Sequence, residues 1–128
     1  MSEPVWIDEA LALAIHDRQL VEHGGAAGLR DEGLLHSALN RPLNRLAYAS
    51  SDIIEFSMLY TAGIVKNHPF VDGNKRTGFV MGVLFLELNG YRFTASEEAA
   101  AQAIIELAAG TIDEEGFCAF LRANVTEL

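Results

Sequence analysis

Nine positions of this chain, His68 to Arg76, bring together a histidine, an acid, an asparagine, a lysine and an arginine, within the stretch NHPFVDGNKRTG of residues 67–78. Pro69 and Gly73 break the stretch, and strongly apolar segments flank it on both sides. Polar atoms taken out of water without partners cost free energy. A buried core therefore has no use for this mixture, and an ordinary surface loop does not need one so specific. The residue types point to a site.

Pro69 disfavours a helical conformation at His68, which places the histidine on a turn between two helices. The next helix is expected to begin around Asp72 or Gly73. The first backbone N–H groups of a helix have no intrahelical partner and carry the positive end of its dipole. Gly73 gives a ligand close access to them, so this helix start suits an anion. Lys75 and Arg76 add two cations on the first turn, and an arginine fork binds phosphate oxygens in pairs. Asp72 beside an anion makes sense with a divalent metal between them; magnesium takes one or two carboxylates plus substrate phosphates. His68 supplies a general base near neutral pH. Together these parts are the minimum for moving a phosphate-containing group onto a hydroxyl. The plainer alternative has Asp72 as a helix N-cap, Lys75 and Arg76 solvated, and His68 as a hydrogen-bonded loop residue. A closed structural metal site is disfavoured, because one histidine and one acid do not complete a ligand set.

The rest of the chain must hold this stretch in place. Its 128 residues, 50% hydrophobic and 21% charged, suit one globular domain over residues 1–128. A net charge of −9 argues against a protein that wraps nucleic acid, yet leaves room for a local phosphate site. The single cysteine, Cys118, cannot form an internal disulfide and reads as a small buried hydrophobe. The start MSEPVWIDEA lacks the parts of a signal peptide. No apolar run reaches the roughly 18 residues of a membrane span, so a cytoplasmic location is expected.

Helix follows helix along the sequence. Asp8 reads as the N-cap of a helix with Leu11, Ile15 and Leu20 on its apolar stripe, stopped by Gly24 and Gly25. Asp31 caps a short helix burying Leu34, Leu35, Ala38 and Leu39, expected to end before Pro42. LNRLAYASSD has no clear helical period and reads as an irregular or hairpin-like flap. Asp52 and Glu55, at capping-box spacing, open a helix apolar nearly all round, the expected buried centre of a bundle. A second strongly apolar helix follows the polar stretch, stopped by Asn89 and Gly90, and YRFT is a brief extended piece. Ser96 caps a helix that stops at Gly110, and Asp113 opens the last one, DEEGFCAFLRANV. The expected fold is all-α: a compact bundle of about six helices, with a short flap before the central one.

HPFVDGNKR matches the signature of the Fic/Doc family, His-Pro-Phe-x-Asp/Glu-Gly-Asn-Gly/Lys-Arg, at every fixed position. GGAAGLRDEGLLHSALNRP and FVMGVLFLELNGYRF resemble its death-on-curing branch, the toxins of type II toxin–antitoxin pairs. The resemblance implies ATP and Mg2+ as cofactors, with His68 deprotonating the target hydroxyl and Asp72 holding magnesium. It implies that Gly73 and Asn74 line an anion hole and that Lys75 and Arg76 bind phosphates. Phe70 would anchor the loop in the core, with Pro69 beside it, and the segment before Asp52 would be the flap that docks the target. Adenylyltransferases of the family usually carry glycine where Lys75 stands and a second arginine where Phe79 stands. The resemblance to the death-on-curing branch therefore implies a nucleotide bound the other way round, its terminal phosphate facing the target. The implied activity is a protein kinase acting on a threonine of elongation factor Tu. Adenylyl transfer to a protein hydroxyl is the alternative. Gly73 and Val80 depart from that branch's best-known member, which has alanine and a polar residue there. A non-catalytic, partner-binding module is a third reading, though it has no need of the base.

The resemblance further implies an antitoxin that lays a helix along a groove, with neither nucleic acid nor membrane as a direct partner. TIDEEG, Thr111 to Gly116, matches the family's inhibitory pattern Ser/Thr-x-x-x-Glu-Gly/Asn and makes Glu115 a candidate competitor for the phosphate-binding arginine. Thr111 and Asp113 equally make sense as helix-start residues. His16, His23 and His36 read as surface or satisfied structural residues, and Arg30 and Asp31 as ties for the second helix.

Overall fold

The computed structural model describes residues 3–48 and 51–128. Its elements are α1 (Glu9–His23), α2 (Glu32–Arg45), α3 (Ile53–Asn67), α4 (Asn74–Leu88), β1 (Tyr91–Phe93), α5 (Glu97–Ala109), α6 (Glu114–Ala123) and β2 (Val125–Glu127). Asp8, Asp31, Asp52, Ser96 and Asp113 cap their helices as expected, each side chain accepting from a first-turn backbone N–H. The all-α expectation is borne out, since the described residues form six helices and the two strands among them add only a small ribbon. No helix among the described residues is long and apolar enough to cross a membrane.

α3 is the axis of the bundle, buried without a break from Phe56 to Val65. Glycines let its neighbours come close. A Cβ added at Gly63 would meet the Ala38 Cβ of α2 at 3.0 Å, and one at Gly78 of α4 would meet the Thr61 carbonyl oxygen at 3.1 Å. Across the α3–α4 seam the Thr61 hydroxyl donates to the Gly78 carbonyl and the Ser57 hydroxyl to the Gly82 carbonyl, both at 2.8 Å. Buried hydroxyls are thus satisfied by backbone that only small residues let them reach. Trp6, Phe56, Tyr60 and Phe85 fill one side of α3, and the Tyr60 hydroxyl accepts from the Ile7 N–H at 3.0 Å. This packing fixes the end of α3 against the start of α4, where the polar stretch lies.

Four local expectations need correction. α2 does not end before Pro42 but runs on to Arg45 with Pro42 inside it. The ring forfeits one helix bond and crowds the Ala38 carbonyl. It is also among the most deeply buried side chains, and its packing offsets that loss. Leu43 to Arg45 of the expected flap are therefore helical, Leu46 to Tyr48 make a turn, and residues 49–50 lie outside the described residues. The Asp52–Glu55 box is half formed: Asp52 accepts from the Glu55 N–H at 2.9 Å, but the Glu55 carboxylate takes Arg45 Nε at 2.7 Å. The last helix stops at Ala123, because Val125 joins β2 and pairs with Phe93 of β1.

Candidate active site

His68 is the C-cap of α3, in left-handed backbone at φ 55° and ψ 52°. It is the only non-glycine residue with positive φ among those described. That region costs an L-residue roughly 1–2 kcal/mol, so surrounding bonds must over-determine it. They do: the His68 N–H reaches the Ile64 carbonyl at 3.1 Å, and Arg30 donates to the Asn67 and His68 carbonyls at 2.9 and 2.7 Å. The Pro69 carbonyl accepts from the N–H groups of Arg30 and Asp31, at 2.6 and 3.0 Å. Pro69 and Phe70 are buried. Phe70 stacks on the His16 ring at 3.8 Å between centroids, with planes 6° apart.

Asn74 locks the turn from inside. Its carboxamide oxygen accepts from the Phe70 N–H at 3.0 Å and its nitrogen donates to the Phe70 carbonyl at 2.9 Å, which orients the amide. The remaining amide hydrogen faces His68 Nδ1 at 3.1 Å. In the neutral ring held this way, Nδ1 carries the lone pair and Nε2 the hydrogen. Taking up a proton at Nε2 requires the other tautomer, which gives up that contact at a cost of about 1 kcal/mol. The exposed ring has room to turn. The Asn74 side chain is thereby fully engaged, and only its backbone N–H is left for an anion.

Asp72 is held by backbone. Its Oδ1 accepts from the Gly73 N–H at 2.8 Å and its Oδ2 from the Ala26 N–H at 3.2 Å. Those two donors, Ala26 first, keep the carboxyl below its ordinary range, with Arg76 and His16 adding to the effect. Each oxygen retains a lone pair and the side chain is exposed, so this single ionised carboxylate fits a magnesium ion that draws its other ligands from phosphates and water. The carbonyl of Asp72 accepts from His16 Nε2 at 2.8 Å. Gly25 makes room, for a Cβ there would sit 2.9 Å from Asp72 Oδ2.

The N-cap of α4 is Gly73, not Asp72, at φ 79° and ψ 18°, and no side chain caps the helix. The Asn74, Lys75 and Arg76 N–H groups have no partner among the described residues, because helical bonding to the preceding chain begins with Thr77 N–H to the Gly73 carbonyl at 2.9 Å. Lys75 and Arg76 are exposed beside them. Phe79, one turn on, packs its ring edge-on to Phe93 at 5.6 Å and lines an apolar groove between α1 and α4 with Ile15, Val80, Val83 and Leu84. Glu115 is exposed on the first turn of α6, and no ion pair joins it to Arg76 among the described residues. Its neighbour Glu114 pairs with Arg41 at 2.7 Å and Lys66 at 3.0 Å.

His68, Asp72 and the open start of α4 are thus contributed by one turn, as their spacing suggests. The α1–α2 segment that braces the turn was legible only in part. Gly28 to Arg30 lie antiparallel to Pro69 to Val71, with a bridge between Leu29 and Phe70 and a Val71 N–H bond to the Gly28 carbonyl at 3.0 Å. Gly25 and Gly28 both take φ of 121°, so the glycine spacing was the available signal. His16, buried on α1, gave no signal beyond its type.

The Fic/DOC family model matches residues 6–86, from the segment before α1 to within α4. Protein kinase doc of Escherichia phage P1 is 35% identical over 89 residues, which is 69% of this chain and 71% of the phage protein. Toxin Doc of Mycolicibacterium smegmatis is 32% identical over 77 residues, 59% of each chain. With the family model spanning more than half of its length and the motif turn built as described, this chain belongs to the Fic/DOC family, with a protein kinase and a toxin, both named Doc, among its relatives.

Proposed function

We propose that this protein is a toxin that transfers the terminal phosphoryl group of magnesium-bound ATP to a serine or threonine hydroxyl of a translation factor of the elongation factor Tu kind. The observation that carries the reading is the single turn that joins an imidazole, an ionised carboxylate held by backbone donors, and three unpaired helix N–H groups flanked by Lys75 and Arg76. The N–H groups and the two cations bind phosphate oxygens. Asp72 would hold magnesium together with the phosphates, and the ion would supply charge neutralisation on the transferred group. His68, in the tautomer with its lone pair on Nε2, takes the hydroxyl proton there as the hydroxyl oxygen bonds to the terminal phosphorus. The bond from that phosphorus to the bridging oxygen breaks, and ADP leaves.

Lys75 and Phe79 support phosphoryl over adenylyl transfer. A lysine on the first turn narrows the space beside the N–H groups, and Phe79 occupies with packed hydrocarbon the place of a second phosphate clamp. The name of the phage relative points the same way. Adenylyl transfer is the second reading, favoured by Gly73, which leaves the helix start unobstructed. The apolar groove between α1 and α4 suits the helix of an antitoxin, with Arg18 and Glu87 at its sides.

Calorimetry of ATP binding tests the site. Magnesium should tighten binding to the wild-type protein, and Asp72→Asn should remove that gain by a factor of about ten or more, since losing a charged ligand exceeds the ~1.4 kcal/mol of one decade. Equal binding with and without magnesium in both proteins would refute the assignment.

A further inference from the structure

We propose that Arg30 is a positioning residue for His68, acting through the two peptide groups on either side of it. This rests on the reading of His68 as the base. The φ and ψ of His68 are set by the orientation of the peptide planes before and after it, whose oxygens are the Asn67 and His68 carbonyls. Arg30 donates to both, from Nη2 at 2.9 Å and from Nε at 2.7 Å. One rigid planar fork therefore fixes both planes at once. Its own N–H is tied to the next carbonyl, that of Pro69, at 2.6 Å. Three consecutive carbonyls around the imidazole are thus read by a single residue from another part of the chain.

The clamp has something to oppose. A residue before proline prefers extended backbone, and His68 is held at φ 55° and ψ 52° instead. Released, His68 relaxes toward extended backbone, and Nε2 leaves its place relative to the start of α4. The guanidinium also lies at the C-terminal, negative end of the α3 dipole, which favours a cation there. Because Arg30 is exposed, truncating it opens no cavity in the core. A lysine keeps the charge but offers one point of contact in place of a fork.

The test compares wild type, Arg30→Ala and Arg30→Lys by steady-state transfer kinetics and by NMR. In the wild type, a left-handed His68 gives a strong amide-to-Hα cross-relaxation signal within the residue. Arg30→Ala should lose that signal and lower kcat roughly 100-fold, the order expected for a misplaced catalytic group, with KM for ATP within about twofold. Arg30→Lys should fall between, and ethylguanidinium should restore part of the Arg30→Ala rate but none in His68→Ala. Unchanged kcat and an unchanged His68 signal in a folded Arg30→Ala protein would overturn the proposal. If the wild type transfers nothing while the signal still vanishes in Arg30→Ala, the clamp stands and the base assignment falls. If Arg30→Ala does not fold, Arg30→Lys decides by the same two readouts.

Discussion

α5 and α3 both end on a left-handed residue, but the two ends are built differently. α5 stops at Gly110, φ 78° and ψ 10°, and an added Cβ there would meet nothing within 4 Å. Glycine adopts that backbone without strain, and no other group has to hold it. α3 stops at His68 in the same left-handed region, at φ 55° and ψ 52°, and there Arg30, Asn74 and the N–H groups of residues 30 and 31 are all drawn in to keep it. The helix starts repeat the contrast. α6 has one first-turn N–H, that of Gly116, capped by the Asp113 side chain, whereas α4 has no side-chain cap and leaves all three open behind Gly73. Ordinary ends of this fold are satisfied locally. At the site, a strained residue and unmet donors are maintained by bonds from a distant segment, as expected where backbone strain serves function.

The sharpest way to break this comparison is to exchange the two residue types. His68→Gly should cut transfer by a factor of 10² to 10⁴, the usual contribution of a positioned base, while stability stays within about 1 kcal/mol because glycine relieves the strain that the lost ring contact would offset. Gly110→Ala should do the reverse, costing about 1 kcal/mol of stability and leaving kcat unchanged. Urea unfolding and a transfer assay on both variants check the pair. A large stability loss in His68→Gly would show that the histidine was serving the fold.

The smallest expected effect is on acid stability. Burial alone would raise the Asp52 and Glu114 carboxyls, but Arg122 with the Glu55 and Ile54 N–H groups for the first, and Arg41 with Lys66 for the second, outweigh it and hold both below their ordinary range. Asp72 is lowered by the Ala26 and Gly73 N–H groups. Carboxyls depressed in the folded state add stability that is complete above their unfolded pKa of roughly 4 and disappears as pH falls through the lower folded values. The urea midpoint should therefore be flat down to about pH 5 and decline below it; a midpoint that rose on acidification would contradict this.

Much of the fold was legible because helix ends are local. Asp8, Asp31, Asp52, Ser96 and Asp113 announce their helices within four residues of sequence. The misses are non-local. Pro42 is tolerated inside α2 because of what it packs against, and β2 exists because Tyr91 to Phe93 lies ready to pair with it. At the site, the types and spacing of His68, Asp72, Lys75 and Arg76 were legible. The full use of the Asn74 amide, the Gly25 clearance and the fork of Arg30 were not, since each depends on contacts that only folding brings together.

The central claim, that this turn presents the terminal phosphate of ATP to a hydroxyl, is tested most directly by label transfer. The protein is incubated with elongation factor Tu, magnesium and ATP labelled on the γ-phosphate in one tube and on the α-phosphate in another. The account predicts protein-bound label from the γ position alone, absent with His68→Ala. Label from the α position would contradict it and establish adenylyl transfer by the same residues.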